Sequence, residues 1–164
     1  MFPFDLFGKY RCVKWAPLPL RLIVGIGFMQ HGFAKLDKGP DAFIVILHAL
    51  SVPAPQLMAW LTLSTEIGGG LAILLGALVP LAAIPMAVVL LVAVFTVHLP
   101  YGFSSIKLIG VTASAAQFGP PGYECDLLYL ACLAALVMAG PGPLAIDEFF
   151  GQRTWPIVRA STSE

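Results

Sequence analysis

The feature that most constrains the fold is a long stretch without any ionisable residue, which runs from Ile67 to Val97. As one straight helix it would be about 46 Å long, whereas the hydrocarbon core of a bilayer is about 30 Å thick. The stretch therefore predicts two antiparallel membrane spans joined by a tight turn. Pro80 is the expected corner, and Pro85 suits the early turns of the returning helix, since proline breaks helices further inside.

The composition places the chain among integral membrane proteins. Hydrophobic residues make up 59% of its 164 residues and charged residues only 11%, whereas soluble domains carry about 25% charged residues. The formal net charge is +0, so no basic excess indicates binding of nucleic acid. The apolar segments follow each other without a gap that would hold a soluble domain, which predicts a single membrane domain over 1–164.

Four apolar segments have the length that a spanning helix needs, about 20 residues. The predicted fold class is an all-α membrane protein, an antiparallel bundle of four transmembrane helices with two long external loops. The loop 37–55 carries a short apolar piece at about 41–50, which is too short to span and is expected to be an interfacial or re-entrant helix. The loop 100–122 is rich in Gly, Ser and Pro. The spans are predicted at about 17–36, 56–78, 82–99 and 122–140.

The distribution of Lys and Arg predicts the orientation of the chain. The tails, 1–16 and 141–164, carry more basic residues than the two loops, and the more basic side of a membrane protein faces the cytoplasm. Both termini are therefore expected to be cytoplasmic. The basic residues on the terminal side are Lys9, Arg11, Lys14, Arg153 and Arg159, and those of the loops are Lys38 and Lys107.

Several ionisable residues in or beside the spans are expected to meet at the outer end of the bundle. Charged groups inside a bilayer are costly and turn toward the interior, a partner or water. Glu66 would lie about 15 Å from the outer end of its span, so it must be protonated, paired or wet. We expect a polar pocket near the outer leaflet, with catalytic or proton-relay roles for His31, Lys35, Glu66, His98, Tyr123 and Glu124.

Five of these six residues, all but His31, also have a purely structural interpretation. Lys35 can snorkel to the interface, and Tyr123 can belong to an aromatic belt. Glu124 can favour the start of a helix through the helix dipole. His98 can be an ordinary hydrogen-bonding side chain, and Glu66 can belong to a structural pair.

Two further features follow from the residue types, an ion pair and a set of glycines. Arg21 is expected to form a structural ion pair with Asp147 at the cytoplasmic end, because a buried guanidinium suits a carboxylate. Gly32 and the triplet at 68–70 favour close helix packing, and contact of a ligand with bare backbone at Gly32 or Gly69 is the alternative. No HxxxH or CxxC pattern is present, and no intrinsic haem, flavin or metal is expected.

Four stretches together resemble the DoxX family of four-helix bacterial membrane proteins. They read RLIVGIGFMQHGFAKL, EIGGGLAILLGAL, VFTVHLPYGFSSIKL and GPPGYECDLLYLACLAALVMAGPGPLAID, and they cover about 17–147. The segment that usually ends in Ser-Leu-Asp reads Ala145-Ile146-Asp147 here, so the Asp is kept. The residues that match the polar pattern of the family are Arg21, His31, Gly32, Lys35, Glu66, His98, Tyr123, Glu124 and Asp147.

The resemblance implies a location in the bacterial inner (plasma) membrane and quinone chemistry, because the family is related to the membrane subunit of a thiosulfate:quinone oxidoreductase. The expected function is a membrane subunit of a quinone-linked oxidoreductase or redox-stress system, with a quinone, a quinol or a small redox substrate in the polar pocket. Beyond the lipid bilayer, the expected partner is a soluble oxidoreductase or a second copy of the chain. The alternatives are a non-enzymatic membrane anchor or assembly module, and a small-solute or proton permease.

Overall fold

The computed structural model describes residues 13–149, which are mostly helical. A short 3₁₀ turn, Val13–Trp15, precedes the first helix. The elements that follow are α1 (Pro17–Asp37), α2 (Pro40–Ala49), α3 (Pro55–Leu75), α4 (Val79–Tyr101), the strands β1 (Leu108–Val111) and β2 (Ala116–Phe118), α5 (Glu124–Ala139) and α6 (Ile146–Phe149). The two strands pair as an antiparallel hairpin between α4 and α5.

The four long helices, α1, α3, α4 and α5, pack around one apolar core. Both α1 and α4 contact α3 and α5. Arg21 near the start of α1 reaches Leu74 near the end of α3, and His98 near the end of α4 reaches Asp126 near the start of α5, so these neighbours are antiparallel. The core side chains include Val24, Phe28, Ile73, Val79, Met86, Leu133 and Leu136.

The two ends of this arrangement differ. We call the end that carries α2 and the hairpin the loop end, and the end that carries the α3–α4 corner and α6 the terminal end. Most of the two predicted tails, 1–16 and 141–164, lies outside the described residues, and so do four of the five basic residues that predict their side. The short apolar piece at about 41–50 is the helix α2.

The corner between α3 and α4 is not at Pro80. The helix α3 ends at Leu75, where Gly76 adopts a left-handed conformation with φ of 67°, which is a common helix C-terminal cap. Pro80 lies in the first turn of α4, where its missing N–H would have had no helical partner. The corner therefore occupies 76–78, and α4 begins three residues earlier than the predicted 82.

Between residues 13 and 149, two helices are long and apolar enough to cross a membrane, namely α3 and α4, with 21 and 23 residues. Each of them contains one π-helical turn, at Thr65–Gly69 in α3 and at Val94–His98 in α4. A π turn adds a residue and rotates the side chains around the helix axis, and such turns are frequent at functional sites. Each of the two turns contains one ionisable residue, Glu66 or His98.

Glycines allow α1 to approach α3 closely. A Cβ atom on Gly25 would lie 2.8 Å from the carbonyl oxygen of Gly70, and one on Gly32 would lie 2.6 Å from Cγ1 of Ile67. A Cβ atom on Gly69 would lie 3.0 Å from a methionine side chain of α4. Gly32 and Gly69 thus lie at helix–helix contacts, which is the packing role that the sequence favours.

Candidate functional site

The first polar pair of the interior joins α1 to α3. Glu66 has only 4% of its surface exposed, and the Nζ atom of Lys35 lies 2.5 and 2.6 Å from its two carboxylate oxygens. The carboxylate is therefore bound to a cation of the first helix, as its isolation in an apolar segment predicts. Gly32 makes this possible, because one turn before Lys35 it lets the backbone of α1 come close to Glu66.

The short helix α2 packs beside this pair. The ring of Phe43 lies 5.1 Å from Nζ of Lys35, which is within the range of a cation–π interaction. The ammonium group of Lys35 points toward Glu66 inside the protein, which is the reverse of ordinary snorkelling to water. Glu66 and Phe43 together hold the lysine in this orientation.

The second polar pair joins α4 to α5 at the same end. The Nδ1 atom of His98 lies 2.5 Å from Oδ2 of Asp126, and Asp126 has only 7% of its surface exposed. A carboxylate on one imidazole nitrogen fixes the orientation of the ring and leaves the other nitrogen for a ligand or water. Within residues 13–149, this pair and Lys35–Glu66 are the ion pairs of the protein.

Asp126 was not among the residues predicted for the pocket, whereas Glu124 was. Asp126 and the buried Leu133 are seven residues apart, so they share the inward face of α5. Glu124 is about 200° away around the helix. Apolar residues lie all round α5, so their period does not indicate which of the two carboxylates faces the core.

Glu124 and Tyr123 instead fasten the loop before α5. The backbone N–H of Ser105 donates to Oε2 of Glu124 over 3.0 Å. The ring of Tyr123 meets that of Phe103 edge to face, with 5.7 Å between the ring centres. Both residues lie at the loop end, and their contacts hold the chain that follows α4 against the first turn of α5.

His31 lies outside both ion pairs. The hydroxyl of Tyr129 occupies the space that a side chain on Gly27 would need, so this side of α1 faces α5, and His31 is one turn further along it. His31 is exposed, and its side chain forms no hydrogen bond with any residue between 13 and 149. The structure does not bring it together with either ion pair.

The predicted ion pair between Arg21 and Asp147 is wrong. Arg21 has only 2% of its surface exposed, and all its N–H groups donate to backbone carbonyls over 2.8–3.2 Å. A guanidinium has five such donors, so none is left for a carboxylate. Asp147 instead accepts a hydrogen bond of 3.0 Å from the N–H of Leu78 and caps the start of α4. The accepting carbonyls belong to Ile73, Leu74, Pro141, Pro143 and Leu144.

This arrangement concentrates paired hydrogen-bonding side chains at the loop end. Each pair combines an acceptor carboxylate with a nitrogen donor, and both pairs lie among apolar helices at the loop end. Hydrogen bonds are electrostatically stronger in such surroundings than in water. Between residues 13 and 149, no three His, Cys, Asp or Glu side chains lie close enough to share a metal ion.

Comparison with known proteins identifies the family. The profile of the DoxX family matches residues 16–99. A relative from Mycobacterium tuberculosis, described as the uncharacterized membrane protein Rv3486, is 30% identical over 142 residues, which are 82% of this chain and 80% of the relative. No solved structure matches the chain. The chain belongs to the DoxX family and is a membrane protein, which confirms the resemblance seen in its sequence.

Proposed function

We propose that the chain is a membrane subunit of a quinone-linked oxidoreductase or redox-stress system, and that it binds a quinone, a quinol or a small redox substrate at the loop end. The observation that carries this proposal is that each of two π-helical turns holds a residue of a buried ion pair, Glu66 or His98. Such turns weaken a helix and are kept where a side chain has a task. The quinone itself is suggested by the resemblance of the family to the membrane subunit of a thiosulfate:quinone oxidoreductase.

The two pairs suit the needs of a quinone head group. Its reduction to a quinol takes up two electrons and two protons, one proton at each carbonyl oxygen. The Lys35 ammonium and the His98 ring would form hydrogen bonds to these oxygens, and Glu66 and Asp126 would hold the two side chains in place. The electrons would come from a soluble oxidoreductase partner or a diffusible reductant. His31, which is exposed, would exchange protons with water.

We also propose that all four long helices cross the inner membrane as one antiparallel bundle. The helix α1 carries Arg21 and Lys35, but their charges are met by backbone carbonyls and by Glu66, so neither faces lipid. The basic residues of the tails support cytoplasmic termini, which would put the loop end in the outer leaflet. The chain would then form a single membrane domain over 1–164.

Quinone binding by purified variants in lipid nanodiscs tests the site. A short-chain quinone is titrated, and binding is followed by tryptophan fluorescence. Glu66→Gln and Asp126→Asn each remove a charged hydrogen-bond partner, a contribution of about 1.5–3 kcal/mol, so the affinity should fall about tenfold or more. Asp37→Asn is the matched control, because Asp37 is exposed at the same end of α1 and should leave the affinity unchanged.

The outcomes separate the proposed function from the anchor function. Folded Glu66→Gln and Asp126→Asn proteins that bind the quinone as tightly as the wild type would reduce both pairs to structural contacts. Absence of saturable binding by the wild type itself would contradict the proposal. In either case, a membrane anchor for a soluble oxidoreductase would become the better account.

A further inference from the structure

The hairpin between α4 and α5 has one apolar face, and that face is exposed. Residues directly opposite each other in a ladder share a face, and here Leu108 pairs with Phe118 and Val111 with Ala116. The ladder is irregular between Leu108 and Gly110. This bulge adds one residue to β1 and so brings Leu108 and Val111, three positions apart, to the same side.

The opposite face of the hairpin is mixed: it carries Gln117 and also Ile109 of the bulge, which is 68% exposed and whose Cγ2 would lie 3.1 Å from a Cβ atom on Gly119. Gly110 pairs with Gln117, and a Cβ atom on Gly110 would lie 3.6 Å from the side-chain oxygen of Gln117. The turn that joins the strands is closed by the hydroxyl of Thr112, which bonds to both the N–H and the carbonyl of Ala115. The hairpin therefore has one wholly apolar face and one mixed face that carries its polar side chain, Gln117, and no charged residue occurs between Lys107 and Glu124.

The base of the hairpin is fastened where the apolar helices end. The loop after α4 and the first turn of α5 are joined by backbone hydrogen bonds, from Gly122 to Ser104, from Tyr123 to Gly102 and from Glu124 to Phe103. Since α4 is apolar along its length up to this loop, the hairpin begins at the boundary between hydrocarbon and water.

We propose that the hairpin lies flat on the membrane surface at the loop end, with Leu108, Val111 and Phe118 in the acyl chains and Gln117 toward water. The three apolar side chains are 59, 73 and 59% exposed. Because the hairpin begins where the apolar helix α4 of a membrane protein ends, lipid is the apolar phase nearest to this face.

The backbone of the hairpin sets its depth. A two-stranded sheet has two outer edges whose N–H and C=O groups need partners, and these cannot be met within the hydrocarbon. A flat position at the interface keeps both edges in reach of water while it buries the apolar face, as amphipathic interfacial helices do. This inference rests on the membrane location of α4 and not on quinone binding.

Spin labels on the two faces test the proposal. Cys12, Cys125 and Cys132 are replaced by alanine, and single cysteines are introduced by Val111→Cys or Gln117→Cys. The labelled proteins are reconstituted in vesicles of phosphatidylcholine and phosphatidylglycerol. Accessibility to oxygen, which concentrates in lipid, is compared with accessibility to a water-soluble nickel complex. The ratio of oxygen to nickel accessibility should be several-fold higher at 111 than at 117.

Every other outcome contradicts the proposal. Equal and high nickel accessibility at both positions would put the hairpin in water. Low accessibility of position 111 to both reagents would show that protein covers the face, which in these vesicles means a second copy of the chain.

A second measurement avoids the cysteine-free background. With native cysteines, Phe118→Trp should be quenched by lipids brominated near the headgroup, and Gln117→Trp should be quenched much less. Equal quenching of the two variants would overturn the proposal.

Discussion

Removal of the Arg21 guanidinium should be among the most destabilising single changes in this protein. Arg21→Met leaves five backbone carbonyls without their donor. The gross loss, at about 1.5–3 kcal/mol for each bond to a charged group, is partly offset because a buried charge also disappears. Removal of one member of a buried charged network costs about 3–5 kcal/mol in other proteins, and we expect that range here. Arg21→Lys keeps the charge but has three donors for five carbonyls, so about half the loss should remain.

Thermal unfolding in detergent measures this effect, and a loss of this size should lower Tm by about 10 °C. The matched comparison is Asp147→Asn, which keeps an oxygen for the N–H of Leu78 and should cost less than about 1 kcal/mol. The double variant should show the sum of the two effects. If Asp147→Asn costs as much as Arg21→Met, and the double variant no more than either, then Arg21 and Asp147 form an ion pair and the carbonyl network is wrong.

Three further predictions concern stability and are checked by the same unfolding assay. Lys35→Met should cost about 3 kcal/mol because it strands the buried Glu66 carboxylate, and adding Glu66→Leu should restore most of the loss; a double variant as unstable as the single would contradict this. Gly32→Ala should cost about 1–3 kcal/mol by pushing α1 from α3. Gly68→Ala, whose Cβ would meet nothing within 4 Å, should be neutral or stabilising, and equal effects at 32 and 68 would refute the packing argument. Leu144→Gly should stabilise by about 1 kcal/mol, since Leu144 has a φ of 61°, and a loss of stability would contradict that.

The long helices could be predicted from the sequence because their apolar runs have the length of a membrane span. Their ends were harder to predict. Pro80 and Gly76 both signal a turn, and the sequence does not say that Gly76 takes the left-handed position under Arg21, where a Cβ atom would lie 2.7 Å from Cζ. The bulge that brings Leu108 and Val111 to the same face could not be predicted either, because nothing in the residues 108–111 indicates an extra residue in the strand.

The candidate site was predictable only in part. That Glu66 needs a polar partner follows from its apolar surroundings, and Lys35 has the required charge and reach. Asp126 was missed because packing sets the rotation of α5 about its axis. The residue types alone do not show which of two carboxylates, two positions apart, faces the core. The partners of Arg21 were missed for a different reason, since backbone carbonyls at helix ends carry no residue signature. The π turns around Glu66 and His98 likewise leave no mark in the sequence.

Photolabelling tests directly whether a quinone head group binds between the two ion pairs. The purified protein in nanodiscs is irradiated with an azidoquinone, and the labelled peptides are identified by mass spectrometry. The account predicts saturable labelling within 31–35, 98–105 or 123–126, prevented by excess unlabelled quinone and strongly reduced in Asp126→Asn. Labelling that does not saturate, or that falls on the lipid-facing side of α3 and α4 and persists in Asp126→Asn, would contradict it.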